Sequence, residues 1–202
     1  MAIVVFDIGK VIVPEGDRVP RLVNFLRSND VEVGVKELME SYWELRDDYD
    51  LGLDDDTYWA HVLDRAGATG GDIDYQALGR LDGERNATAD PAVHELLRDL
   101  AAAGHRLALL SNAPFSMVNA VREADWASGI EVKIFSAEAG VAKPDRKIYE
   151  IAERELSAAF DGYERCAVHF FDDRDVNVSA AREFGWDAHL WEGVEGARRG
   201  LL

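Results

Sequence analysis

With 202 residues the chain is long enough for one large domain, or for a core with an inserted subdomain, and 48% apolar content is ample for a buried interior. A net charge of -17, from 39 acidic and 22 basic residues, argues against nucleic acid and anionic membrane surfaces as partners. The single cysteine, Cys166, excludes an internal disulfide, and there is neither a bilayer-spanning apolar run nor a leader, so a cytoplasmic monomer or homodimer is expected.

In chain order, Ile3–Phe6 is a run of apolar and β-branched residues that predicts a fully buried parallel strand, ending in Asp7 with Gly9 two residues on. Residues 14–17 read as a turn. Four helices follow: Val19–Arg27, Val35–Leu45, one from about Thr57 to Arg65 capped within Asp54–Asp56, and a short one from Asp72 or Asp74 to Leu78. The acidic run Asp47–Asp56 is expected to be a solvated turn, and no strand is expected between residues 18 and 88. Tyr42, Trp43, Tyr49, Tyr58 and Trp59 recur at helical spacing; most belong to a local core, with one or two left to face a ligand.

Alternation of helix and strand resumes at Asp90-Pro91, a good helix start, and runs to Ala103 before Gly104. A strand Arg106–Leu110 ends in Ser111-Asn112-Ala113, followed by a helix Pro114–Ala124 and a strand Val132–Phe135. A helix from Asp145 to about Ala158 leads to a strand Ala167–Phe171 that ends in Asp172-Asp173. Helix Asp175–Phe184, strand Ala188–Trp191 and a helix from Gly193 complete the chain. This order predicts an α/β fold: a doubly wound, Rossmann-like parallel sheet from residues 1–14 and 89–202, with an all-helical cap inserted over 15–88.

Asp7, Ser111 and the pair Asp172-Asp173 directly follow predicted strands, and Lys143 lies on a loop between a strand and a helix. In a parallel sheet such positions share the carboxyl edge, where open α/β sheets hold ligands. A carboxylate nucleophile, a hydroxyl, an ammonium and an acidic pair would therefore converge from distant parts of the chain. The histidines point elsewhere: His61, His94, His105 and His189 show no metal-ligand spacing, and His169 reads as a buried, hydrogen-bonded residue.

Four segments in order, VVFDIGKVIV, LLSNA, AKPDRKIY and FFDDRDVNVSAA, resemble the motifs of the haloacid dehalogenase-like superfamily, most of whose members are Mg²⁺-dependent phosphatases. The resemblance covers essentially the whole chain and implies that Asp7 attacks phosphorus to form an aspartyl-phosphate, with Lys143 neutralising charge. Ser111 and Asn112, with the amides of Asn112 and Ala113, would hold phosphate oxygens. Mg²⁺ would sit on Asp7, the Gly9 carbonyl and Asp173, with Asp172 behind, orienting Lys143 or a metal-bound water; Asp172 and Asp173 could exchange those roles. Lys10 and Arg46 are further candidates for substrate binding, and Lys10 could equally pair with Glu15.

One departure matters. Phosphatases of the superfamily usually carry a second aspartate, a general acid, where this chain has Gly9. A D-x-G branch, similar to glucose-1-phosphate-type phosphatases, lacks it too. The implied activity is a Mg²⁺-dependent phosphomonoesterase acting on a small phosphorylated metabolite, sugar phosphates included. The alternatives are a metal-independent 2-haloacid dehalogenase, against which the paired Asp172-Asp173 argues, or a weakly catalytic or non-catalytic phospho-ligand-binding protein.

Overall fold

In the computed structural model, which describes residues 2–201, the chain begins with β1 (Ile3–Phe6), all four residues of which are buried. The next stretch carries α1 (Arg18–Ser28), β2 (Val31–Glu32), α2 (Val35–Glu44), α3 (Arg46–Asp50), α4 (Asp55–Arg65), β3 (Thr69–Gly70) and α5 (Tyr75–Glu84). Then come α6 (Pro91–Ala102), β4 (Arg106–Ser111), α7 (Phe115–Glu123), β5 (Val132–Phe135), α8 (Ser136–Ala139) and α9 (Arg146–Ala159). Strand β6 (Val168–Asp172), α10 (Asp175–Phe184), β7 (Asp187–Leu190) and α11 (Val194–Leu201) finish it.

Five strands form one parallel sheet in the order β5-β4-β1-β6-β7, with Phe6 in register with Leu109 on one side and Phe171 on the other. Period-two alternation sends Val4, Phe6, Leu107 and Leu109 to one face, where α6, α7 and α11 cover them. Ile3, Val5, Ala108 and Leu110 go to the opposite face under α9 and α10. This is the doubly wound α/β arrangement that the alternation of elements predicts, and it puts the carboxyl ends of β1, β4 and β6 side by side.

Residues 18–84 contribute nothing to that sheet and have an apolar cluster of their own around Tyr42, Tyr49, Tyr58 and Trp59. Aspartates start its helices as expected: Asp54 accepts from the Thr57 amide and Asp74 from the Ala77 amide. Three details differ from the sequence reading. The insertion is not purely helical, because Val31–Glu32 pairs antiparallel with Thr69–Gly70. Helix α5 does not end at Leu78 but continues through Gly79 and Gly83, which are contact points: a Cβ on Gly83 would lie 2.3 Å from the Ser116 carbonyl oxygen of α7. The stretch expected as a solvated acidic turn instead contains α3, whose Asp50 is drawn inside by Arg46 at 2.7 Å, while Asp55 accepts from the Tyr49 hydroxyl.

Candidate active site

Asp7 sits one residue beyond β1, and its amide still donates to the Phe171 carbonyl at 2.9 Å, so the sheet itself fixes its position. Immediately after it the chain folds back, with the amides of Ile12 and Val13 both 2.9 Å from the Ile8 carbonyl and the Lys10 amide 2.8 Å from that of Val13. That turn puts Lys10 in the left-handed region, at φ 61°.

Lys143 is the centre of the site. Its ammonium is almost fully buried and donates to Asp7 Oδ1 at 2.8 Å, Asp172 Oδ2 at 2.6 Å and the Leu110 carbonyl at 2.8 Å. Burial works against that charge, but the two carboxylates outweigh it and raise the lysine above its ordinary range. Asn112 positions the lysine: its Nδ2 donates to the Lys143 carbonyl and its Oδ1 accepts from the Lys143 amide, each at 2.8 Å. Its side chain thus braces the loop that carries Lys143 while still lining the cavity. The Ala113 amide is taken, donating to the Ser136 hydroxyl at 2.9 Å. Ser111 remains, buried at the end of β4 and close enough to Asp7 to favour its charged form.

The two acids after β6 have different surroundings. Asp172 is fully buried, and both its oxygens are occupied, by Lys143, the Arg174 amide and the Asn177 amide nitrogen at 2.6 to 3.1 Å. Asp173 is half-buried and lines the cavity together with Asp7, Gly9, Lys143 and Ser111. Burial and the neighbouring Asp172 push its carboxyl up, and burial pushes Asp7 up to about 6 against the pull of Lys143. The cavity is about 530 Å³, and Lys10, Arg46 and Asn112 also line it; Asp172 does not. Lys10 is half-exposed, with Nζ 3.4 Å from Glu15.

These residues fit a hard divalent cation. Asp7, Asp172 and Asp173 each bring a carboxylate oxygen within 4.8 Å of the others, with Lys143 the one buried cation among them. Two negative charges are therefore left over. The Gly9 carbonyl accepts no backbone hydrogen bond among the described residues, and Asn177 Oδ1 is buried without a partner beside Asp172. Carboxylates, a carbonyl and room for water suit Mg²⁺ better than any softer metal.

The profile of the haloacid dehalogenase-like hydrolases matches residues 1–185. The chain belongs to this family. As a haloacid dehalogenase-like hydrolase it is similar to the (S)-2-haloacid dehalogenase of Pseudomonas sp. (strain YL), 34% identical over 95 residues. That match covers 46% of this chain and 39% of the relative, so the chain aligns with well under half of that enzyme. Among solved structures, a dehalogenase superposes with a TM-score of 0.69 at 17% identity, covering 100% of this chain and 97% of the other. A HAD family enzyme of Bacteroides thetaiotaomicron, in complex with magnesium and inorganic phosphate, gives 0.69 at 17% identity over 94% and 93% of the two chains. The L-2-haloacid dehalogenase of Xanthobacter autotrophicus, with chloropropionic acid covalently bound, gives 0.64 at 19% over 93% and 76%. At these identities the structural likeness concerns the fold.

Among the groups on the cavity wall that the sequence did not single out are Arg18 and Arg85. They stand at the two ends of the insertion, at the start of α1 and just after α5, and no local pattern distinguishes them from surface arginines. Away from this site, His169 and His189 both approach Asp187 at 3.2 Å, a cluster made by strand pairing and invisible in sequence spacing.

Proposed function

We propose that this haloacid dehalogenase-like hydrolase is a Mg²⁺-dependent phosphomonoesterase acting on a small phosphorylated metabolite. One observation carries the reading: three clustered carboxylates have a single buried lysine among them, paired to Asp7 and Asp172, so the site holds two unbalanced negative charges at and beside the nucleophile. A divalent cation removes the excess, and when bound it supplies positive charge that draws in and polarises a phosphoryl group.

In this reading Asp7 attacks phosphorus, forming an O–P bond as the bond to the leaving oxygen breaks. Lys143, held on Oδ1, orients the carboxylate and offsets charge that builds on the phosphoryl oxygens. The Ser111 hydroxyl binds one of those oxygens. Asp172 and Asn177 act from behind by holding the lysine and each other, and Asp173 is the carboxylate left for the metal. Water then attacks the aspartyl-phosphate, releasing phosphate and restoring Asp7. Gly9 supplies no proton to the leaving group, which therefore takes one from water; this suits leaving groups of lower basicity, such as sugar 1-phosphates of the D-x-G branch. The neighbour that holds magnesium and inorganic phosphate supports the same chemistry on this fold.

The relative named as an (S)-2-haloacid dehalogenase favours a second reading, displacement of halide from carbon by Asp7 without a metal. One assay separates the two. Phosphate release from aryl and sugar phosphates with Mg²⁺, abolished by EDTA and restored by fresh Mg²⁺, is the expected result. Halide release from 2-chloropropionate that is indifferent to EDTA, with no phosphatase activity, would overturn it.

A further inference from the structure

The cavity wall opposite Asp7 is built largely from the insertion, and its charges are unevenly paired. Arg18, Arg46 and Arg85 line it together with Asp47 and Asp50, Glu15 lies on the same wall, and Asp82 faces Arg18 and Arg46. Arg46, the cation that sequence reasoning would select, is spent inside the fold: Nε donates to Asp50 at 2.7 Å and Nη1 to the Tyr42 hydroxyl. Asp82 accepts from the Tyr42 hydroxyl at 2.7 Å and from Arg18 Nε at 3.1 Å, so both its oxygens are in use.

That leaves Arg85 with no carboxylate partner among the described residues, and Arg18 sharing Asp82 with Arg46 and the Tyr42 hydroxyl. Only Nε of Arg18 has a protein partner among the described residues, and its guanidinium carbon is held 5.2 Å from the Tyr42 and Trp43 ring centres. Arg85 is nine-tenths buried; Nη2 donates to the Pro14 carbonyl at 2.8 Å, but Nε is buried with no partner at all. Burial and the adjacent Arg18 charge hold this guanidinium below the usual arginine range, as expected for a cation that has lost water without gaining an anion. A chain with a net charge of -17 has no shortage of carboxylates to place here. Keeping a buried arginine unpaired is costly unless something else completes it.

We infer that Arg18 and Arg85 bind a second anionic group on the substrate, which makes the natural substrate a small phosphomonoester whose other end is a carboxylate or a second phosphate. This deepens the phosphatase reading and rests on it. The core side of the cavity takes the phosphoryl group to be transferred, and the insertion takes the far end. Trp43, 52% exposed at the rim, covers the chain between them. Two guanidinium groups make charge-assisted bonds to an oxyanion that a neutral sugar hydroxyl cannot match.

The test uses three probes of one length: propyl phosphate, and the same chain ending in a carboxylate or in a second phosphate. Binding to the Asp7→Asn protein is measured by calorimetry with Mg²⁺, and hydrolysis by the native enzyme is measured in parallel. At least one acid-ended probe is expected to bind about ten- to a hundred-fold tighter than propyl phosphate, the range of one or two charged hydrogen bonds. Which of the two wins names the anion. Introducing Arg18→Gln, a substitution at a partly exposed position, should cut that preference about ten-fold, a ratio that a loss of folded protein would not move. Equal binding of all three probes, or binding of none, overturns the inference. Hydrolysis of none by the native enzyme, with the acid preference intact, overturns the phosphatase reading and leaves the anion subsite standing.

Discussion

Replacing Asp7 by Asn should abolish activity and make the metal-free protein more stable. Asp7 is buried, with Asp172 on the same lysine, and burial pushes its carboxyl from 3.8 up to about 6. A group whose folded pKa lies above its unfolded one favours folding while protonated, so the cost of its charge is absent below pH 3.8 and complete above pH 6. Moving a carboxyl that far corresponds to ~3 kcal/mol at neutral pH, an upper figure for the gain, and about half of that at pH 5. An amide at this position keeps the shape, carries no charge to desolvate, and leaves Lys143 paired with Asp172 at 2.6 Å. The measurement is the urea midpoint of native and Asp7→Asn proteins in EDTA at pH 7.5 and pH 5. The variant's advantage should be large at the first and shrink at the second. Added Mg²⁺ should stabilise the native protein far more than the variant and close the gap. A variant less stable than the native protein at pH 7.5 in EDTA would mean that the Lys143 attraction exceeds the desolvation cost, and the account of an over-charged site would fail.

Two further substitutions probe the glycines that shape the site. A Cβ on Gly9 would meet no atom within 4 Å, and the backbone there is not left-handed, so Gly9→Asp should fold without steric strain, its added charge costing stability in EDTA and being offset when Mg²⁺ is present. It should raise turnover of alkyl phosphates by up to ~10²–10⁴-fold by supplying the proton donor that this position lacks, and a folded variant no faster than native would refute that role. Gly83→Ala would force α5 off α7, because its Cβ falls 2.3 Å from the Ser116 carbonyl oxygen. A loss of ~1–3 kcal/mol in denaturant unfolding is expected, with a fall in activity as the insertion tilts away from Asp7. Unchanged stability would show that the helices do not meet as closely as described.

Much of this protein is legible in its sequence because the relevant signals are local. Hydrophobic runs ending in Asp7, Ser111 and Asp172 mark strand ends, strand-helix alternation forces a parallel sheet, and a parallel sheet puts all its strand ends at one edge. Convergence of the site thus follows from periodicity and connection rules alone. Which side chain serves which partner does not. Asp172 and Asp173 are adjacent and identical in sequence, yet the pleat turns one inward to Lys143 and Asn177 and leaves the other on the cavity wall. Asn112 reads as a phosphate ligand, and nothing local in the sequence shows that it also braces the loop bearing Lys143, 31 residues away in the chain. Asp50 reads as part of a solvated turn and Arg46 as a substrate contact until α2, α3 and α5 enclose them. Arg18 and Arg85, 67 residues apart by their numbers, become neighbours only where the insertion leaves and rejoins the sheet. Local pattern sets the elements and their order; the balance of buried charge is a property of groups brought together from far apart, and only the folded chain decides it.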